Sequence, residues 1–273
     1  MNISVIGTGY VGLTTAVGFA VEGHRVYCVD IDQNKINMIN SGKAPIYEEN
    51  LEEHLQEVLE KGLLTATTNL ADAIEKTDIS FICVGTPSND DGSIDLKYVR
   101  QVSKDVGNII RDKNKYHVFT IKSTVVPGTT EESLKIIEDA SGKRCGPDFG
   151  MCMTPEFLQE GKAMQDFFNP SRIVIGSFDE RSLDMIKQLY KDTDAPIVEC
   201  DLKTAEMIKY VSNSLLAAKI SFSNEIGNIC KKLGINTYKV MEGVGLDSRI
   251  NPKFLNSGCG FGGSCFPKDV KAL

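Results

Sequence analysis

The sequence predicts an α/β protein, a doubly wound and mainly parallel sheet followed by a long connector helix and a small helical segment. Three observations carry this. Short apolar runs alternate with helical patterns through residue 200, which is the signature of strands joined by crossover helices. A glycine-rich turn stands between the first run and the first helical pattern. From Leu202 the alternation gives way to one helical pattern that continues without proline to Leu233.

The strand-like runs lie at residues 3–6, 25–29, 79–84, 118–121, 150–153, 173–176 and 197–199. Helical patterns at 11–21, 49–61, 96–111, 131–139 and 180–191 fall between most of them. The first turn reads GTGYVG and sits between a strand and a helix, as a Rossmann-like dinucleotide site requires. Gly7 permits the tight turn, Gly9 lets the backbone reach a pyrophosphate, and Gly12 lets the helix pack closely on the strand. Tyr10 and Val11, inside the same fingerprint, join the cofactor-binding set. The second strand ends in Asp30, where an acid accepts hydrogen bonds from the adenosine ribose and repels a 2′-phosphate. The expected cofactor is therefore NAD rather than NADP, with Lys35 nearby in the same set.

At 273 residues the chain is long enough for one large or two modest domains. The division expected is an NAD-binding domain over 1–200 and a helical connector and dimerisation region over 201–273. A net charge of −7 argues against nucleic acid as a general partner, since a polyanion is held by a basic surface. The chain opens directly on a strand and has no apolar run long enough for a bilayer, so no leader, no membrane partner and a cytoplasmic location are expected. The eight cysteines form no C-x-x-C pair and read as reduced thiols, most of them packing residues. His24, His54 and His117 lack metal-ligand spacing and read as surface or strand-edge residues, so no metal site is expected.

The long pattern from Leu202 to Leu233 carries Met207, Ile208, Val211, Leu215, Ile220, Ile226 and Ile229 on an apolar side. A helix of about 30 residues reaches roughly 45 Å, which suits a connector or a homodimer contact. Lys209 and Asn213 are four apart and share a face. Amid so apolar a sequence they are expected to point into a site.

Further chemistry clusters after the strands, where open α/β sheets place ligands. Gly85, Thr86 and Pro87 follow one run, KSTVVPGTT with Thr124 follows another, and TPEFLQEG sets Glu156 and Glu160 one helical turn apart. Near the end, GCGFGGSCFPKDV over 258–270 puts Cys265 behind a run of glycines, with Lys268 and Asp269 next. Bare backbone admits a ligand closely, and a cation beside a thiol favours the nucleophilic thiolate.

GTGYVGL, CVGTP, STVVPGT, TPEFLQEG, AEMIKYVSN and GFGGSCFPKD occur in this order over almost the whole chain, which closely resembles the nucleotide-sugar dehydrogenases, the UDP-glucose and GDP-mannose 6-dehydrogenase family. The resemblance implies oxidation of a sugar 6-hydroxyl to a carboxylate, with two NAD consumed. It makes Cys265 the catalytic nucleophile, Lys209 and Asn213 stabilisers of oxyanionic intermediates, and Asp269 an aid to the water or thiol chemistry. It gives Thr124 and Glu156 the hydrolytic water, with Thr124 also in the cofactor set beside Thr86, and puts Glu160 near the nicotinamide. Phe157 and Leu158 join Glu156, Lys209 and Asn213 in the substrate-binding set. Phe254, Leu255, Asn256 and Gly260 line the hexose pocket, and Arg249 reaches the sugar nucleotide of a neighbouring subunit.

Members of the family normally continue into a second Rossmann-like domain that holds much of the nucleotide. The sequence therefore reads as an amino-terminal portion, expected to bind NAD but to turn over little substrate alone. The segment LDSRINPKFLNSG over 246–258 looks more like the UDP-glucose branch of the family, whereas IIEDASGK over 136–143 resembles the GDP-mannose enzymes; the resemblance implies UDP-glucose ahead of GDP-mannose or an N-acetylated UDP-hexose. The reading from a different class is a cofactor-binding and dimerisation module without chemistry of its own.

Overall fold

The computed structural model describes residues 1–273. Its strands are β1 (Asn2–Ile6), β2 (Arg25–Val29), β3 (Leu64–Thr67), β4 (Ile79–Ile82), β5 (Val118–Ile121), β6 (Gly150–Met153), β7 (Ile173–Ser177) and β8 (Ile197–Cys200). Its helices are α1 (Tyr10–Val21), α2 (Gln33–Asn40), α3 (Leu51–Glu60), α4 (Leu70–Glu75), α5 (Lys97–Ile110), α6 (Thr129–Ser141), α7 (Ala163–Phe168), α8 (Glu180–Lys187), α9 (Leu202–Leu233), α10 (Thr237–Gly245) and α11 (Phe266–Ala272). The chain divides into two compact units, one of residues 1–87 and 95–207, the other of residues 88–94 and 208–273.

In the first unit one sheet runs in the order β3-β2-β1-β4-β5-β6-β7-β8. β4, β5 and β6 are buried at every position, which is why their sequences do not alternate and are apolar apart from Ser80, Thr120 and Gly150. All pairs are parallel except β6 with β7. Strand order reverses between β1 and β4, so the carboxyl ends of those two strands open the crevice where such sheets hold ligands. The predicted fold class is the observed one. Short elements escape the sequence reading: β3 is a four-residue edge strand with alternating burial, and α2, α4, α7, α10 and α11 are no longer than nine residues.

His117 departs from expectation. It lies immediately before β5 yet is fully buried, because it closes a chain of polar groups between three strands. Its Nε2 is 2.7 Å from Ser80 Oγ, which is 2.5 Å from Ser4 Oγ. On the other side Lys113 Nζ is 3.0 Å from Nδ1 and donates to the Thr77 carbonyl at 2.7 Å. Burial, and then the Lys113 charge, hold the imidazole well below its usual range.

In the second unit residues 208–233 of α9 are followed by α10 and α11, and residues 88–94 form a small hairpin closed by a bridge between Ser88 and Ile94. Along α9 the covered face carries the apolar Leu202, Ala205, Tyr210, Ala217 and Cys230 together with polar groups. Glu206, Lys209, Asn213 and Ser223 are buried, whereas Met207, Val211, Leu215, Phe222, Ile229 and Leu233 are exposed, Leu215 by 61%. No helix of the chain is long and apolar enough to cross a membrane.

The buried imidazole sets a pH dependence. An unfolded histidine takes up a proton below about pH 6.5, which the folded form refuses, so stability is fully present above that pH and falls as pH drops. Urea midpoints at pH 7 and pH 5 should differ for the parent chain and differ less for His117→Gln. An equal decline in both would show that His117 is not a source of acid sensitivity.

Candidate cofactor and catalytic sites

The cofactor edge begins at the turn between β1 and α1. Gly7 has φ +98°, a conformation that L side chains rarely adopt, and donates its amide to Val29 O at 2.7 Å. A Cβ at Gly12 would lie 1.9 Å from Gly7 O, so only glycine lets the first turn of α1 sit on the strand end. Gly9 is different: a Cβ there would meet no atom within 4 Å. It caps α1 with extended backbone and leaves the helix N-terminus bare, a cradle that fits the NAD pyrophosphate. Val11 packs on the core and Tyr10 starts the helix.

Asp30 follows β2 and is pinned. Oδ2 accepts from Thr8 N at 2.9 Å and from Thr8 Oγ1 at 2.6 Å, and Oδ1 accepts from Asp32 N at 3.0 Å. Lys35 Nζ is 3.7 Å from Oδ2. Burial opposes ionisation, but the bonds from Thr8 and Asp32 together with the Lys35 charge outweigh it and hold the carboxyl below its ordinary range. Thr8 was not singled out from sequence; its signal is a hydroxyl between the two glycines of the turn. The loops after β4 and β5 are tied together, Thr86 Oγ1 donating to Thr124 O at 3.0 Å and Ser123 Oγ to Val84 O at 2.7 Å. A second residue missed by the sequence reading, Glu206, holds the end of this loop from α9. It accepts from Gly128 N at 2.6 Å, Thr130 N at 2.7 Å and Thr130 Oγ1 at 2.6 Å.

Residues 154–161 form a loop, not the helical turn expected for Glu156 and Glu160. Glu156 is buried and accepts from Leu158 N at 2.6 Å, a bond to the second residue on that turns the chain away from helix. Glu160 is exposed, so the two carboxylates do not share a face. The Arg172 guanidinium stacks over Phe157 at 3.8 Å.

In the second unit Asn213 Nδ2 donates to Asp269 Oδ2 at 2.6 Å, and Lys268 Nζ to Asp269 Oδ1 at 2.6 Å. Asp269 is wholly buried, and Lys209, one turn before Asn213, is buried too. This corrects the expected pairing of Lys268 with the thiol: its ammonium goes to the neighbouring carboxylate, which needs a cation more because it is out of water. Cys265 immediately precedes α11 and is exposed, with Ser264 Oγ 3.6 Å from Sγ. By contrast burial pushes the thiols of Cys28, Cys83, Cys145 and Cys152 up to about 12, which makes them inert packing residues.

The loop before Cys265 is held from α9. Lys219 Nζ donates to Ile250 O at 3.0 Å and Asn251 O at 3.2 Å, Ser257 Oγ donates to Ser223 O at 2.5 Å, and Gly258 N donates to Asn224 Oδ1 at 2.7 Å. Phe254 has φ +66°, strained for so large a residue, and its ring faces Phe266 at 6.4 Å between centroids. Asn256 and Gly260 are exposed, whereas Leu255 is buried and packs inward. Arg249 is exposed and spends its guanidinium on Asp247, at 2.6 Å.

Two glycines test the cofactor turn. Gly12→Ala should cost about 1–3 kcal/mol or more of stability, as overpacking does. Gly9→Val should leave the thermal midpoint unchanged but weaken NAD binding at least about tenfold, because the new side chain enters the open cradle. Equal NAD affinity for Gly9→Val and the parent chain would remove the pyrophosphate from this turn.

Residues 1–194 match the UDP-glucose/GDP-mannose dehydrogenase family, NAD binding domain, and residues 203–273 match the central domain of the same family. The GDP-mannose 6-dehydrogenase of Pseudomonas syringae pv. tomato is 47% identical over 100% of this chain and 63% of its own length. The UDP-glucose 6-dehydrogenase TuaD of Bacillus subtilis is 45% identical over 100% of this chain and 58% of its own length. A UDP-glucose dehydrogenase from Pyrobaculum islandicum superposes with a TM-score of 0.95 at 46% identity, covering 99% of this chain and 62% of that one. A GDP-mannose dehydrogenase from Pseudomonas aeruginosa, solved as a ternary complex, superposes with a TM-score of 0.90 at 43% identity, covering 100% and 63%. The chain thus spans about 63% of the length of the first of these curated relatives. It belongs to the UDP-glucose/GDP-mannose dehydrogenase family, and residues 1–194 are an NAD-binding domain of that family.

Proposed function

We propose that this chain serves the NAD-dependent four-electron oxidation of a nucleotide sugar at its 6-hydroxyl, with UDP-glucose as substrate and UDP-glucuronate as product. The observation that carries the reading is the bond from Asn213 to the buried Asp269, which ties α9 to the helix that starts directly after the exposed Cys265. NAD, when bound, accepts one hydride in each of two successive oxidations. The chain's own residues do the rest. Cys265, as thiolate, adds to the aldehyde left by the first oxidation and forms a thiohemiacetal; the second oxidation turns this into a thioester, which water hydrolyses to the acid and the free thiol.

Negative charge builds on the same oxygen at each stage. Asn213 has two amide hydrogens, one committed to Asp269, and offers the other to that oxygen together with the Lys209 ammonium. Losing one such donor typically raises a barrier by about 2.7–4 kcal/mol. Asp269 keeps the amide oriented and assists the water and thiol steps. Thr124 and Glu156 hold the hydrolytic water, Glu156 as its general base, and Glu160 lies toward the nicotinamide. Phe157, Leu158, Phe254, Leu255, Asn256 and Gly260 shape the sugar site, and Arg249 serves a neighbouring copy. A second copy covers the exposed apolar stripe of α9 in a cytoplasmic homodimer, since monomers rarely leave so long a stripe to water. GDP-mannose is the second reading, supported by the 47% identity to a GDP-mannose 6-dehydrogenase.

NADH formation and product mass, measured in a full-length context over a panel of UDP-glucose, GDP-mannose and N-acetylated UDP-hexoses, test the reaction. UDP-glucose should give the highest rate, with two NADH per acid formed; a higher rate with GDP-mannose would transfer the assignment to that substrate. Cys265→Ser, in a full-length context, should abolish the acid product, because an oxygen ester replaces the thioester. Slowed variants such as Glu156→Gln should carry a covalent sugar on Cys265 by mass spectrometry. An adduct on another cysteine would overturn the role of Cys265.

A further inference from the structure

Glu48 lies between α2 and α3, in the segment PIYEEN, between two residues of which Tyr47 is 92% exposed. Glu48 itself is buried at 5% exposure. A carboxylate removed from water needs several donors to stay charged, and this one has three. Oε1 accepts from Ala163 N at 2.8 Å, and Oε2 accepts from Gly161 N at 2.9 Å and from the Tyr10 hydroxyl. The same hydroxyl lies 3.1 Å from Gln159 O.

These partners come from two places with separate jobs. Tyr10 directly follows Gly9 and is the first residue of α1, so it belongs to the cofactor turn. Gly161 and Ala163 end the 154–161 loop and begin α7. Residue Lys162, which caps α7, supplies no side-chain bond to the helix amides, and Glu48 supplies one from a distant part of the chain. The scaffold beneath is tight: a Cβ at Gly18 of α1 would lie 2.4 Å from the Phe167 ring of α7, so the two helices are in close contact. Tyr10 remains a donor throughout, because burial and then the Glu48 carboxylate push its phenol upward.

We propose that Glu48 is a positioning residue that couples occupancy of the cofactor turn to the order of the loop carrying Glu156 and Glu160. The proposal rests on the cofactor and loop roles of the preceding section. NAD settling on the turn fixes Tyr10; Tyr10 fixes the Glu48 carboxylate; the carboxylate fixes the amides that close the loop. The loop is thereby set for the sugar once the dinucleotide is in place. A simple helix cap would hold α7 whether or not NAD is bound.

Hydrogen exchange read by mass spectrometry on peptides spanning 157–166, with and without saturating NAD, separates the two. Calorimetry on the same samples reports binding. In the parent chain NAD should slow exchange of this segment about tenfold, because exchange follows the local opening that the bound dinucleotide suppresses. Glu48→Gln turns one oxygen into a donor facing donors, and should raise exchange about tenfold and remove the NAD response, while peptides of β1 and β4 stay protected. Tyr10→Phe keeps the Glu48 bonds to Gly161 and Ala163, so exchange without NAD should match the parent chain and only the response to NAD should vanish. That variant carries the test if Glu48→Gln does not fold. Binding heat accompanied by a full NAD response in Tyr10→Phe, or parent-like exchange in Glu48→Gln, would overturn the coupling alone. Absence of binding heat in the parent chain would overturn the cofactor reading and the coupling with it.

Discussion

The constraint on which the first unit depends is the contact between Gly12 and the carbonyl of Gly7. With 1.9 Å between that oxygen and any Cβ at position 12, the sequence has one residue that permits α1 to start against the end of β1. Once α1 is there, Thr8 stands where both its amide and its hydroxyl reach Asp30 across from β2. Tyr10 stands where its phenol reaches Glu48 and the 154–161 loop. The packing of α1, the bonds of Thr8 to Asp30 and the reach of Tyr10 to Glu48 thus follow from one steric fact at one turn.

Much of this was legible in the sequence because the physics is local. The glycine spacing of GTGYVG, the acid closing the second strand and the alternation of apolar runs with helical patterns each need only a few neighbouring residues, and each reappears in the fold. The unbroken pattern from Leu202 to Leu233 is one helix of those bounds for the same reason. What the sequence hid was long-range. Glu48 and Glu206 look like ordinary acids in their own segments, and only the fold brings each to backbone amides 76 to 115 residues distant. His117 reads as a surface or strand-edge residue because nothing near it in sequence announces Ser80 or Ser4 as partners.

The pattern of burial along α9 has the same origin. A helical wheel separates apolar from polar residues but cannot say which face the rest of the chain will cover. Here the covered face carries Lys209 and Asn213, so desolvation falls on these two polar groups, and the Asn213 amide is partnered by the equally buried Asp269. Lys268 has two candidate partners within three residues, and the buried carboxylate one residue away takes its ammonium ahead of the exposed thiol three residues away.

The central claim is that the turn fixed by Gly12 pins Asp30 so that it selects the dinucleotide. Calorimetric titration of the 273-residue chain with NAD and with NADP tests it most directly. The account predicts NAD bound at least about tenfold more tightly, because a 2′-phosphate would face the ionised Asp30, and predicts that Asp30→Ala narrows the gap as Lys35 becomes free of its carboxylate. Equal affinity for the two dinucleotides in the parent chain would contradict it.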